Sequence, residues 1–276
     1  MTVHQGAHQG RVVTAAAARR RVLDANWPYQ LLTFVVFATA WELYARERGG
    51  LLLPGFAETV LATAGLLTDA ELWHALYVSN QALVLGFALA LAVGVPAGIV
   101  LGRFRLLERY TDVYLNILLV TPMAAIIPLL VMSVGVGLTS RVLLVTVFSV
   151  VMVVVNCRAG VRQVDPSLIE MARSFGAGER QIWTRILLPG ALPAVMTGVR
   201  LGIGRAVTGM VIVELLMVSD GLGGLILKYR GLLKAPQLYG SVLIILAEAL
   251  LLISLAGWGE RELTRWARTQ TAGGTR

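Results

Sequence analysis

The feature that most constrains this chain is the recurrence of apolar runs as long as a bilayer is thick. A hydrocarbon core of about 30 Å needs roughly 20 apolar residues in a helix. Backbone groups in lipid must be paired within the segment itself, which leaves the helix as the natural form of such a run. Six segments qualify, at about 28–45, 76–101, 113–134, 141–156, 191–216 and 240–258. Composition agrees. Of the 276 residues 57% are hydrophobic and 14% charged, with a mean hydropathy of +0.73, where globular domains carry about 25% charged residues. A water-soluble domain, a disordered chain and a disulfide scaffold are all excluded. The expected fold class is an all-α integral membrane protein with six transmembrane helices.

Basic residues set the expected orientation, because loops rich in Lys and Arg stay on the cytoplasmic side. With the N-terminus inside, sixteen of the 24 Lys and Arg fall in inner segments and six in outer ones, and Arg200 and Arg205 lie within the fifth span. Both termini are thus expected in the cytoplasm, with residues 1–27 and 261–276 as tails. The net charge of +8 belongs to these loops. No basic run is interleaved with aromatics, so nucleic acid is not an expected partner. The basic Arg19–Arg21 and the small residues at 38–40 resemble parts of a signal peptide. The apolar run continues through Trp41, Leu43 and Tyr44, which favours a retained first helix at 28–45.

Small residues recur every four positions in the second span (Gly86, Ala90, Gly94, Gly98, Gly102) and again in the fifth (Gly198, Gly202, Ala206). In lipid such stripes let helix backbones approach closely. Pro96, Pro122, Pro128 and Pro193 remove backbone donors, so kinks are expected there. The only cysteine, Cys157, excludes an internal disulfide and reads as a small packing residue.

The loop between the fourth and fifth spans, 157–190, is too long and too ordered in pattern for a passive link. Asp165 is a fitting N-cap and Pro166 a fitting first helical residue. Leu168, Met171, Ala172 and Phe175 then form one apolar stripe at i, i+3, i+4 and i+7, and Gly176 supplies a left-handed turn. A second helical piece is expected through Ile182 and Ile186, ending near Leu188-Pro189. Such an amphipathic helix suits either the lipid interface or a groove in a partner.

Glu170-Met171-Ala172, then Gly176, then nine residues, then Ile186-Leu187-Leu188-Pro189 resembles the cytoplasmic EAA signature of ABC importer permeases. Met171 replaces the first alanine. The likeness covers about residues 70–260. Within it, "SLIEMARSFGAGERQIWTRILLPGALPAVMTGVRLGIGRAVTGMVIVELL" followed by "SDGLGGLI" is similar to the taurine, nitrate and aliphatic-sulfonate subgroup. This chain departs from that pattern at Ser79-Asn80-Gln81-Ala82, where many members have Ser-Leu-x-Arg.

The resemblance implies a type I ABC importer permease fold in a bacterial cytoplasmic membrane. It implies two permease chains, identical where one chain carries the full signature, and two separate ABC ATPase subunits that use the ATP. An extracytoplasmic solute-binding protein would deliver a small anionic solute. Docking on the ATPase would fall to Glu170, Met171, Ala172, Phe175, Gly176, Ile186, Leu188 and Pro189.

Ionisable residues inside spans are costly and face a partner or water. Arg200, Arg205 and Glu248 are therefore candidates for the solute path, and Arg200 and Glu248 are expected to form an ion pair. The alternative role is a buried pair that orders two helices. Glu42 and Glu214, near the outer ends, read as interfacial.

Other chemistry lacks its residues. No GxxxxGK[ST] loop, GxSxG elbow or HExxH helix occurs, and Gly221-Leu222-Gly223-Gly224 reads as a tight turn. His4, His8 and His74 have no acids at ligand spacing, so neither a bound cofactor nor a metal is expected in this chain. An ion-coupled secondary transporter is the rival function, and it would leave the 157–190 loop unexplained.

Overall fold

The computed structural model describes residues 27–48, 52–216 and 220–264, and these are helical with short connections. His4, His8, Arg19–Arg21 and the tail at 265–276 lie outside the described residues. Two units are distinguished, one ending at Leu61 and one running from Ala62 to the C-terminus. In the first, α1 (Trp27–Arg48) is 22 residues long. Glu42 accepts from the Ala57 N–H at 3.2 Å and pairs with Arg46 at 3.0 Å. The helix α2 (Phe56–Leu66) straddles the division.

The second unit holds α3 (Ala70–Arg103), α4 (Arg105–Val120), α5 (Met123–Val134), α6 (Leu138–Arg162), α7 (Pro166–Ser174), α8 (Glu179–Ile182), α9 (Leu188–Leu216), α10 (Gly221–Gly231) and α11 (Ala235–Leu263). Among the described residues four helices are long and apolar enough to cross a membrane: α3, α6, the continuous 179–216 helix and α11. The expected third span is instead a broken one. Its halves α4 and α5 meet at 98° across Thr121-Pro122, because Pro122 has no N–H to continue the ladder and disfavours helix at the residue before it. By length and composition the described residues thus hold four spans, or five with the bent pair, and do not confirm the expected six. The first helix is long enough but mixes Pro28, Gln30 and Glu42 into its apolar run.

The bent pair does cover the length of one crossing. Gly86 lies against Val145, Gly98 against Cys157 and Gly102 against Val161, so α3 and α6 run parallel. Arg103 ends near the level of Arg162, and α6 begins 24 residues earlier, so the connection must travel about 36 Å back along the bundle.

Helix α6 is the centre of the packing. Its side chains Val145, Phe148, Val153, Cys157 and Val161 are buried between the small-residue stripe of α3 on one side and Gly198, Gly202 and Gly209 of α9 on the other. The approach to α3 is close enough for the Thr146 hydroxyl to donate across the seam to the Gly86 carbonyl at 3.0 Å. Cys157 is the packing residue its surroundings predict. The 157–190 loop is shorter than expected, since α6 continues through Cys157 to Arg162. Gly221-Leu222-Gly223-Gly224 is not an isolated turn but opens α10, with Gly221 at φ +73° where the chain swings into the helix.

A Cβ on Gly98 would stand 2.5 Å from the Cys157 Cβ and 2.6 Å from the Val154 carbonyl oxygen. Gly98→Leu should therefore destabilise the protein by about 1–3 kcal/mol or more through overpacking. Gly65→Ala, where nothing lies within 4 Å, should not. Thermal unfolding of the two variants in the same detergent checks the difference.

Candidate functional site

The stretch from Asp165 to Pro189 builds a short projecting helix fixed at both ends. Asp165 caps α7 by accepting the Ser167 N–H at 2.9 Å, and Pro166 occupies the first turn. That hydrogen bond holds the Asp165 carboxyl below the ordinary carboxylate range. At the other end Gly176 takes φ +79°. The Gly176 N–H donates to the Arg173 carbonyl and the Ala177 N–H to the Ala172 carbonyl, both at 2.9 Å. This pair of bonds satisfies carbonyls that a helix C-terminus otherwise leaves open.

The expected apolar stripe divides between two faces. Ala172 turns inward, and together with Ile169 and Ala177 it packs on the buried cluster of Val161, Ile182, Leu187 and Ala191. Leu168, Met171 and Phe175 point outward and are 44%, 53% and 85% exposed. Glu170 is exposed beside them. Ile169 was absent from the sequence-based stripe and carries the inward packing. The heptad-like spacing holds for both faces of so short a helix, so periodicity alone did not separate them.

The second helical piece does not end at Pro189. A single π turn at Trp183–Leu187 joins α8 to α9, and the Leu188 N–H reaches back to the Trp183 carbonyl. A one-residue slip in the ladder absorbs the donor that Pro189 lacks and the crowding of its ring. Ile186 lies on this turn and Leu188 opens α9 just after it, and the result is one helix of 38 residues from Glu179 to Leu216. Glu179 ties its start to two neighbours, accepting from Arg173 of α7 at 2.6 Å and from Arg103 at the end of α3 at 3.3 Å.

The in-membrane charges pair differently from expectation. Arg200 does not meet Glu248; it lies 3.8 Å from Glu260, and Glu248 accepts from the Asn80 amide. The reason is register. Gly204 faces Ile253, which puts Arg200 and Glu248 on opposite sides of that level and about 13 Å apart along the axis. Arg205 has no ion-pair partner among the described residues. It lines a cavity of about 310 Å³ at the broken span, with Thr121, Met123, Phe148, Met152 and Thr208.

Glu214 is not interfacial but fully buried. It accepts from the Ser79 hydroxyl at 2.7 Å and the Gly223 N–H at 2.9 Å, with an Arg141 guanidinium nitrogen 4.0 Å away. Ser79 in turn accepts the Leu222 N–H at 2.9 Å. Four helices thus meet on one carboxylate at the end of the bundle away from α7. The signal for it was present: Arg141 opens the fourth span and Glu214 closes the fifth, at the same end of antiparallel neighbours.

Two expectations follow. Glu214→Ala leaves Arg141 buried without a countercharge and should cost about 3–5 kcal/mol, read by thermal unfolding, with Glu214→Gln losing less because it keeps the side-chain volume and one acceptor oxygen. Asp165 has a depressed folded pKa, so its cap is present above the unfolded carboxyl value and lost as pH falls through the folded one. Amide protection over 168–174 should therefore drop as pH falls below the ordinary Asp value of about 3.9 in the native chain and become insensitive to pH in Asp165→Asn.

The fold and sequence both have relatives. Residues 94–268 match the binding-protein-dependent transport system inner membrane component family. The taurine transport system permease protein TauC of Escherichia coli is 31% identical over 259 residues, covering 89% of this chain and 94% of its own length. The putative aliphatic sulfonates transport permease protein SsuC of Bacillus subtilis is 30% identical over 247 residues, with 87% and 88% covered. The riboflavin transport system permease protein RibX of Chloroflexus aurantiacus is 31% identical over 265 residues, with 92% and 97% covered. A chain of the inward-facing MetNI methionine ABC transporter shares the fold at a TM-score of 0.62 and 20% identity, over 71% of this chain and 99% of that one. With most of its length matched by that family and by these permeases, the chain belongs to the inner-membrane permeases of binding-protein-dependent ABC importers.

Proposed function

We propose that α7 is the element on which a separate ATPase subunit docks, and that the 179–216 helix carries the motion of that contact into the membrane. The observation that carries this reading is the exposure of Leu168, Met171 and Phe175 on a helix capped at both ends. Three large apolar side chains held outward by a rigid nine-residue helix fit a groove in a partner better than they fit water. Ala172 packs inward and Gly176, Ile186 and Pro189 shape the helix and its joint, while Leu188, 40% exposed, adds an apolar side chain at the start of α9. The 157–190 end is the cytoplasmic end, with both termini on that side, as the distribution of basic residues supports.

Two copies of the chain, identical to each other, form the pathway with two ATPase subunits below and an extracytoplasmic solute-binding protein above. The chain itself hydrolyses nothing and holds no cofactor; ATP is used by the docked subunit. The solute is a small anion of the sulfonate or nitrate kind. Arg205, facing the cavity at the broken span without a carboxylate partner, supports that charge preference, while Arg200 and Glu248 act as packing charges through Glu260 and Asn80.

Affinity isolation of the tagged chain in mild detergent tests the docking. A P-loop ATPase should copurify with the native chain and be lost by at least about tenfold, roughly 1.4 kcal/mol, from Met171→Arg/Phe175→Arg, whose changes sit on exposed positions and spare the fold. Equal recovery of the ATPase with the double variant, or no nucleotide-binding protein with the native chain even after crosslinking, overturns it.

A further inference from the structure

A second cavity, of about 270 Å³, lies at the α7 end of the bundle, where the junction of α3 and α4, the end of α6, the foot of α7 and the π turn meet. Arg103, Arg105 and Arg162 line it, Pro166, Ile169 and Leu187 give it an apolar side, and no carboxylate is among its lining residues. Asp165, next in sequence to Pro166, is spent on the Ser167 N–H.

The three guanidinium charges are unequally met. Arg162 pairs with Glu108, which also faces Arg158 at 3.8 Å. Arg103 reaches Glu179 only at 3.3 Å, and Glu179 is shared with Arg173 at 2.6 Å. The Arg103 Nε is buried without a hydrogen-bond partner among the described residues. Arg105 has no ion-pair partner among the described residues. It also opens α4, and Phe104 ahead of it supplies no side-chain cap. The first N–H groups of a helix have no acceptor within it, and the positive end of its dipole adds to the guanidiniums.

Such a wall repels cations and attracts an anion more strongly the more charge the anion carries. Guanidinium forks match phosphate oxygens in pairs. The volume falls below the range of about 300–1,000 Å³ for drug-sized ligands, which suits a phosphate head with little attached to it. Phe104, Leu106 and Leu107 beside the cavity are exposed and apolar, so the phosphate can arrive on a lipid as well as from solution.

Going beyond the docking and solute readings above and independent of both, we propose that this cavity binds a dianionic phosphate group, carried by a soluble phosphomonoester or by a phosphomonoester lipid headgroup. Its lining joins α3, α4, α6, α7 and the π turn, so an occupant braces the foot of α7 against the bundle.

The test uses the purified full chain in mild detergent with no ATPase present, so that no P-loop contributes phosphate binding. Glycerol 3-phosphate is the soluble probe, read by phosphorus NMR line broadening. Phosphatidic acid is the lipid probe, read as retained adducts in native mass spectrometry. At least one should bind, and methanesulfonate, a monoanion, should displace it only at about tenfold higher concentration or more. Arg105→Gln should weaken the bound probe by about tenfold or more, and Arg105→Lys should restore most of it. Arg109→Gln, one turn along α4 and outside the lining, should leave it unchanged. Size-exclusion profiles confirm that the variants remain folded.

Binding of glycerol 3-phosphate assigns the site to a soluble phosphate, and retention of phosphatidic acid alone assigns it to the membrane; either supports the proposal. Failure of both probes, equal competition by methanesulfonate, an unchanged titration in folded Arg105→Gln, or an equal loss in Arg109→Gln each overturns it. Copurification of the ATPase is scored separately and is untouched by any of these results.

Discussion

Glycines of α3 and α9 bring two helix backbones against opposite sides of α6, and the rest of the bundle is arranged around that three-helix contact. In lipid there is no gain from hiding apolar surface between helices, so association depends on close fit and on the few polar contacts that bridge it. The seam with α3 is close enough that a methyl group at Gly98 would collide with the Cys157 side chain and the Val154 carbonyl. Parallel packing of α3 and α6 then forces the intervening chain to return along the bundle. It does so through a span broken at Thr121-Pro122, and the break opens the cavity that Arg205 lines.

The fifth span has a distinct task at each end. At Glu179 it is strapped by Arg173 and Arg103 to α7 and to the end of α3. At Glu214 it is locked into a carboxylate shared with Ser79, the backbone of α10 and, at longer range, Arg141. Between them runs one helix with a π turn near its start. One helix thus connects the two ends of the bundle, with Arg205 and its cavity between them.

Much of this was legible in the residues. Asp165-Pro166 and Gly176 are local signals, acting within one turn of where they sit, and the structure places both as read. Small-residue stripes also carry their meaning locally, which is why the seams were found. What sequence did not resolve depends on register between distant segments. Arg200 pairs with Glu260 and not Glu248 because the sliding of α9 against α11 is set by packing along the whole contact. Ala172 faces inward because the body of the bundle lies on that side, a fact no periodicity contains. The third span reads as continuous in sequence because its composition averages as one helix across the break at Pro122. The first helix falls short of a span because Pro28, Gln30 and Glu42 interrupt its apolar run. The rival reading as an ion-coupled secondary transporter is set aside by the family to which the chain belongs.

The central claim is that the outward face of α7 is covered by the ATPase and its inward face by the chain itself. The only native cysteine, Cys157, is buried, so a single introduced thiol can be read cleanly. Maleimide labelling of Phe175→Cys should be rapid in the isolated chain and strongly protected in the complex with the ATPase, while Ile169→Cys should label slowly in both. Rapid labelling of Phe175→Cys in the intact complex would contradict the account.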